Sequence, residues 1–186
     1  MKRARLEGPA RRRAAHVLEE NVDLFRRAGY ADGQVVGALE AHLAGPQRLP
    51  LRLTLAPTGR VFGGTYALEV ATAEPVLGQS GGLGARGRGV VRLQGIAFRP
   101  RRGDQAGHQL ARRLEENRQL VERLTKVHFE ALRVEPDGRA VIRHMGGSVV
   151  WILFPPLVKG IPLVAEQVRA TIAALEAFAE AGRRVG

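Results

Sequence analysis

Gly78-Gln79-Ser80-Gly81-Gly82 has the G-x-S-x-G spacing of a nucleophile elbow, where small neighbours permit the strained turn that exposes a serine hydroxyl. An elbow sits between a strand and a helix. Here further glycines follow and the next apolar pattern is that of a strand, so the string reads better as a loop. Asp104 or Asp137, with His108, His128 or His144, supply acids and imidazoles downstream, and a hydrolase using Ser80 stays as the lesser alternative. Gly82, Gly84 and Gly87 fit G-x-G-x-x-G, whose glycines bring a pyrophosphate to a helix N-terminus. No helical pattern opens there, and a chain with 23 glycines offers chance matches. Arg102-Gly103-Asp104 spells an adhesion tripeptide, but Asp104 precedes a helical pattern and reads as its N-cap. The histidines, His16, His42, His108, His128 and His144, contain no H-E-x-x-H and no close pair that would set two ligands on one helix face. His128 and His144 fall on strands that can be neighbours, with Glu130 as a carboxylate beside them. Isolated histidines are otherwise structural or surface residues, so no metal, cofactor or catalytic residue is assigned.

The arginines are the more informative signal. Between Pro75 and Gly103 the sequence holds no acid, while Arg86, Arg88, Arg92, Arg99, Arg101 and Arg102 all fall there. Guanidinium groups make bidentate contacts with phosphate oxygens, and a glycine-rich loop carrying them can mould itself to a phosphate backbone. These six are the expected polyanion-binding residues. The opposing reading is that helix acids such as Glu115 and Glu116, or a partner chain, neutralise them. No aromatic residue lies between Gly78 and Ala97 to stack on bases, so the expected contact is salt-dependent and sequence-blind. The whole chain carries a formal charge of +11, which favours nucleic acid or another polyanion as a partner. A GC-rich genome would also produce such an excess, since every basic residue except Lys2, Lys126 and Lys159 is arginine.

The elements that must position these groups follow from apolar periodicity. Arg11 to Ala28 reads as an amphipathic helix through Ala14, Val17/Leu18, Asn21 and Leu24/Phe25, with Gly29 as its stop and residues 1–10 as a flexible arm. A short helix from Asp32 to Leu43 fits Val35/Val36, Leu39 and Leu43, although Gly33 and Gly37 weaken it. From Leu49 the pattern alternates: Leu51, Leu53 and Leu55, a turn at Pro57-Thr58-Gly59, then Arg60 to Ala73. Residues 75–89 lack periodicity and read as a Gly-rich loop, and Val90 to Phe98 as a strand. A helix from Gln105 to Lys126 follows, capped by Asp104. Phe129 to Val134, Arg139 to Met145 and Val149 to Phe154 read as a meander with turns at Pro136-Asp137-Gly138 and Gly146-Gly147. The last of these is apolar on both faces, as in a sheet centre covered on each side, and Pro155-Pro156 ends it. A helix from Pro162 to Ala181 buries Val164, Val168, Ile172, Leu175 and Phe178.

The expected fold is therefore a single α+β domain over residues 1–186, an antiparallel sheet in the order helix-βββ-helix-βββ-helix with helices packed on it, and its two βββα halves suggest an internal pseudo-repeat. At 186 residues such a chain forms a core without metal or disulfide, and the absence of cysteine removes thiolate, Cys-ligated zinc and iron–sulfur chemistry. The basic start lacks the apolar run of a secretory signal, and Ser148 to Val158 is about half the roughly 20 residues of a membrane span. A cytoplasmic protein without a membrane span is expected.

Arg143-His144-Met145-Gly146-Gly147-Ser148, Phe154-Pro155-Pro156, Ile161-Pro162-Leu163 and Glu166-Gln167 resemble the bacterial domain of unknown function 3156 family over the last sixty or so residues. That family carries no established activity, so the resemblance implies no catalytic residues and agrees with a bacterial cytoplasmic protein. The element order also resembles secretion-chaperone-like α+β folds, which dimerise and bind extended polypeptides, although those chaperones are usually acidic. Three readings follow: a non-enzymatic basic module that contacts phosphate-rich polyanions, a homodimeric interaction or chaperone-like scaffold, and the Ser80 hydrolase.

Overall fold

The computed structural model describes residues 2–60, 62–78, 82–88, 95–100 and 102–183. Helix α1 (Lys2–Arg27) begins at Lys2 rather than at Arg11 and contains Pro9. Proline removes one backbone donor and crowds the preceding turn, so the periodicity is clean only beyond it. Of the expected stripe of α1, Ala14, Val17, Leu18, Asn21 and Phe25 are buried, while Leu24 and Ala28 are half-buried at its margin.

The short helix expected next is instead a hairpin of β1 (Asp32–Gly37) and β2 (Glu40–Ala44). Ala41 and Leu43 are buried while His42 between them is exposed, a period of two that Val35/Val36 and Leu39 masked. Gly33 lies against α1, where a Cβ would come 3.1 Å from Val22 and 2.9 Å from Leu43. β3 (Leu51–Arg60) and β4 (Gly63–Thr72) form the expected hairpin, but Pro57, Thr58 and Gly59 stay within β3 and the chain turns after them. The glycine-rich stretch also differs from expectation. It carries β5 (Leu83–Arg88), which pairs with β6 (Gly95–Pro100), and the start of the strand expected at Val90 lies outside the described residues.

The expected single helix after Asp104 is broken into α2 (Gln105–Glu116) and α3 (Arg118–Thr125) at Asn117. Asn117 takes φ −76° and ψ 89°, and its side chain accepts from Leu120 N at 3.1 Å, so it ends one helix and caps the next. β7 (Phe129–Val134) matches expectation, whereas β8 (Ala140–Leu153) runs straight through the expected Gly146-Gly147 turn. That turn is a bulge: Tyr66 pairs with Val149 and Leu68 with His144, leaving extra residues on β8. Gly147 has φ +73°, and a Cβ there would lie 2.7 Å from Leu68 and 2.8 Å from Asn21. Asn21 Nδ2 donates to Gly147 O at 2.9 Å, so α1 and the bulge fix each other. β9 (Pro156–Ile161) and α4 (Ala165–Arg183) complete the chain.

Among the described residues the sheet has nine antiparallel strands in the order β1-β2-β3-β4-β8-β7-β5-β6, with β9 beside the second half of β8. Six strands precede α2, so the expected order of two βββα halves is not found. All helices pack on one face. α1 spans β8, β9 and β1 to β3, α2 and α3 lie on β6, and α4 lies on α3, β4 and β8. Phe178 of α4 meets Phe98 of β6 edge to face at 6.2 Å, which closes that side of the core. Val168, Ile172, Leu175 and Phe178 are buried as an amphipathic helix requires, but Val164, expected with them, is exposed ahead of the first helical turn, and Leu163 is buried in its place.

Val149 to Leu153 is an interior strand segment between β4 and β9, as expected. Its covering is not as expected. Val149 and Trp151 are buried beneath the helices, whereas Val150 and Ile152 are only half-buried on the other face and Phe154 is 88% exposed. Pro155-Pro156 turns the chain back into β9 instead of leaving the sheet.

Candidate polyanion-binding face

Asp104 and His144, two of the described residues singled out for catalysis, take structural roles. Ser80 lies outside the described residues, and the elements on either side of it, β4 and β5, are both strands, so the elbow context is missing. Gly84 and Gly87 sit within β5, not at a helix N-terminus. Asp104 is the expected N-cap of α2 and accepts from Gly107 N at 2.9 Å. His144 is buried, and burial lowers its pKa to about 4 against the opposing effect of a hydrogen bond with the His128 backbone. Its Nε2 lies 3.1 Å from Thr171 Oγ1, so it is a neutral core residue that ties α4 to β8. The His128 side chain is exposed, and no cluster of three or more His, Asp or Glu able to hold a metal occurs among the described residues. Ser148, four residues on, donates to His144 O and accepts from Leu68 N, both at 3.0 Å, which holds the bulge rather than presenting a nucleophile.

The face without helices has a different chemistry. Register places Gln34, His42, Arg52, Ala71, Val141, Arg133, Gly84 and Arg99 in one continuous cross-strand row. Partners in register share a face, so this row opposes the buried Leu51, Leu53, Val70, Ile142 and Leu132 of the core face. At a strand spacing of about 4.8 Å, the row from Arg52 to Arg99 spans about 24 Å. Ala71 and Val141 are buried although no helix lies on them, because long arginine stems flank them in the row.

The centre of this face is neutralised internally. Glu69 accepts from Arg133 Nη1 and Nη2 at 3.1 and 2.8 Å and from Arg143 Nε and Nη2 at 2.9 and 2.5 Å. Arg133 also donates to Glu135 at 2.6 Å. Burial opposes ionisation of the Glu69 carboxyl, but the hydrogen bonds from Arg133 and Arg143 outweigh it and hold its pKa below the usual carboxylate range. The flanks are different. His42 meets Glu40 at 3.1 Å, but Arg52 and Arg99 have no carboxylate partner among the described residues, and Arg52 Nε is buried without a hydrogen bond there. Arg99 and Arg133 line a cleft of about 260 Å³ between β6 and β7.

Of the six expected arginines, Arg99 is exposed at the end of this row and Arg102 is exposed in the turn before α2. Arg86 and Arg88 occupy β5 register positions opposite Ala97 and Gly95. Arg92 and Arg101 lie outside the described residues. The acids held in reserve to neutralise the cluster behave differently from expectation at Glu115, which accepts from Phe98 N at 2.8 Å and so serves a strand, not an arginine. Arg52, Arg133 and Arg143 carry no cluster signal in the sequence because each stands in an alternating strand, and only strand order assembles them. The signal for Arg52 was present in the Leu51-Arg52-Leu53 alternation.

No curated protein and no solved structure matches the chain. The sequence profile of a family described as a protein of unknown function, DUF3156, matches residues 28–181. The match runs from the end of α1 to the end of α4 and is not confined to the C-terminal third where the motif resemblance lies. The chain belongs to the DUF3156 family.

Proposed function

We propose that the chain is a non-enzymatic binding module that receives the phosphate backbone of a nucleic acid on the helix-free face of its sheet. The observation that carries this reading is the pair Arg52 and Arg99, two cations without carboxylate partners among the described residues, at either side of a centre whose charges are already matched. A guanidinium without a carboxylate partner gains a charge-assisted hydrogen bond when a phosphate oxygen arrives at its solvent-facing nitrogens, and a protein carboxylate need not be displaced first. The span of about 24 Å corresponds to about seven base steps at 3.4 Å each. Arg86, Arg88, Arg92, Arg101 and Arg102 remain further phosphate contacts of this reading on sequence grounds, since no acid lies among them.

The test is fluorescence anisotropy with labelled single-stranded and duplex oligonucleotides over a potassium chloride series. Affinity is expected to fall steeply with salt and to be indifferent to base sequence. Arg52→Gln and Arg99→Gln are each expected to reduce the slope of log affinity against log salt by about 1. Absence of binding at low ionic strength, or slopes unchanged in both variants, overturns the proposal.

A further inference from the structure

The open face has a second zone that the arginine row does not explain. Gly63 pairs with Ile152, and Leu153 N donates to Phe62 O at 2.9 Å, so the β3–β4 and β8–β9 turns lie side by side at one end of the sheet. Each turn presents a phenylalanine to solvent, Phe62 at 73% and Phe154 at 88% exposure. Leu157, in register with Ile152, is 46% exposed, and Val150 and Ile152 continue the apolar surface into a cleft of about 630 Å³. None of this surface is needed for the core, which lies on the other side of β8. Contiguous exposed apolar groups of this kind mark a surface that another apolar phase covers.

Helix α1 brings charge to the same end. It touches β8 where Asn21 meets Gly147 and β9 where Val17 meets Gly160. Four helical residues advance about 6 Å and the corresponding two strand residues, Gly147 to the partner of Gly160, advance about 7 Å, so helix and strand run together toward the turns. From Gly160 to Pro156 is about 13 Å of strand, or about nine helical residues, which places the helix near Gly8 level with the phenylalanines. Arg11, Arg12 and Arg13 therefore stand about one helical turn behind the tips. Arg13 is shared with Glu20 at 3.7 Å, while Arg11, Arg12 and the exposed Lys159 of β9 have no carboxylate partner among the described residues. The sequence from Met1 to Arg13 contains six basic residues and one acid, Glu7.

We infer that this end of the molecule docks on an anionic lipid bilayer, with Phe62 and Phe154 entering the boundary between headgroups and acyl chains and Arg11, Arg12 and Lys159 meeting the lipid phosphates. The layering decides the occupant. Two aromatic tips ahead of a basic belt match the order of apolar and anionic zones met on entering such a membrane. A second copy of the chain would instead bring one arginine-rich end against another in a protein whose net charge is +11. A nucleic acid would find these phenylalanines at turn tips, not on the flat strand surface where bases stack.

The experiment is co-sedimentation with vesicles of phosphatidylcholine mixed with phosphatidylglycerol, and with phosphatidylcholine alone, at physiological salt. The chain is expected to bind the anionic vesicles and to bind the neutral ones at least about tenfold more weakly. Phe62→Ser with Phe154→Ser is expected to lower anionic-vesicle binding at least about tenfold, since one inserted aromatic side chain accounts for about that factor. Both side chains are exposed, so the melting temperature should not move. Arg11→Gln, Arg12→Gln and Lys159→Gln together should lower binding and flatten its salt dependence. Arg52→Gln with Arg99→Gln should leave vesicle binding intact, which separates this inference from the nucleic-acid reading. No binding to anionic vesicles, binding indifferent to the two phenylalanines, or a dimer in solution that Phe154→Ser dissociates, each overturns it.

Discussion

The two faces of the sheet treat polar groups in different ways. Beneath the helices, Asn21 is answered by Gly147 O, Ser148 by His144 O and Leu68 N, Thr171 by Gln167 O and His144, and Thr72 by Ala140 N. On the helix-free face, Glu69 satisfies two arginines at the centre, yet Arg52 Nε is buried without a partner among the described residues, and Phe62 and Phe154 stand in solvent. Polar satisfaction is complete for these groups beneath the helices and incomplete at Arg52 on the open face. The covered face therefore reports what folds the chain, and the open face carries the groups on which the proposed function rests.

The comparison breaks most sharply under truncation. Phe178→Ala removes an aromatic ring that is fully buried against Phe98 and should cost about 3–5 kcal/mol in chemical denaturation, while Phe154→Ala should change stability by less than about 0.5 kcal/mol. Equal effects would mean that the tip is part of the core.

Acid should act next, and through the covered face. The buried His144 has a pKa of about 4 when folded and about 6.5 when unfolded. Above pH 6.5 neither state is charged and stability is unaffected. As the pH falls from 6.5 toward 4 the unfolded chain takes up a proton that the folded chain refuses, and about 3 kcal/mol is lost. The Glu69 carboxyl, held low by Arg133 and Arg143, works in the same direction, since its contribution is lost as pH falls through its folded value. Denaturant midpoints measured between pH 7 and pH 4 should fall in the native chain and fall less in His144→Gln. Identical slopes would show that the imidazole titrates normally.

On the open face, Glu69→Gln deprives two guanidinium groups of their carboxylate. Breaking a fully buried pair costs about 3–5 kcal/mol; here Arg133 and Arg143 are 34% and 26% exposed and Arg133 keeps Glu135, so about 2 kcal/mol is expected. The same variant frees positive charge at the centre of the row and should raise affinity for oligonucleotides at low salt. Loss of stability together with loss of that affinity would mean that the centre positions the flanks.

Much of this was legible in the sequence, and the failures have physical causes. Most of the α1 stripe, the Leu51/Leu53/Leu55 strand and the core positions of α4 other than Val164 follow from local periodicity, and the Asp104 cap from residue type. The β1–β2 hairpin reads as a helix in the sequence because strands of six and five residues are too short for a period of two to outweigh chance matches at 3.6. Gly146-Gly147 has the composition of a turn, and only the neighbouring strand and Asn21 of α1 turn it into a bulge. The candidate site was less legible still. Arg52, Glu69, Arg133 and Arg143 are far apart in sequence, and each looks like an ordinary polar residue of a strand until strand order makes them neighbours. Arg99 and Arg102 were visible because they cluster locally, but clustering says nothing about which face they share.

Val149 and Val150 give the smallest and cleanest measurement, because they are the same residue type on the same strand and differ only in the face they occupy. Val149 is fully buried beneath α1, and Val150 is half-buried on the open face beside the cleft. Val→Thr keeps the shape and adds a hydroxyl, which costs about 1–3 kcal/mol where no partner is available and little where water reaches it. Val149→Thr should therefore lower stability by about 1–2 kcal/mol and Val150→Thr by less than about 0.5 kcal/mol. If the inference about the bilayer is right, the order reverses in vesicle binding, where Val150→Thr should weaken association slightly and Val149→Thr should not. A strand apolar on both faces but covered on one has apolar residues that folding does not explain, and this pair measures what that surplus does.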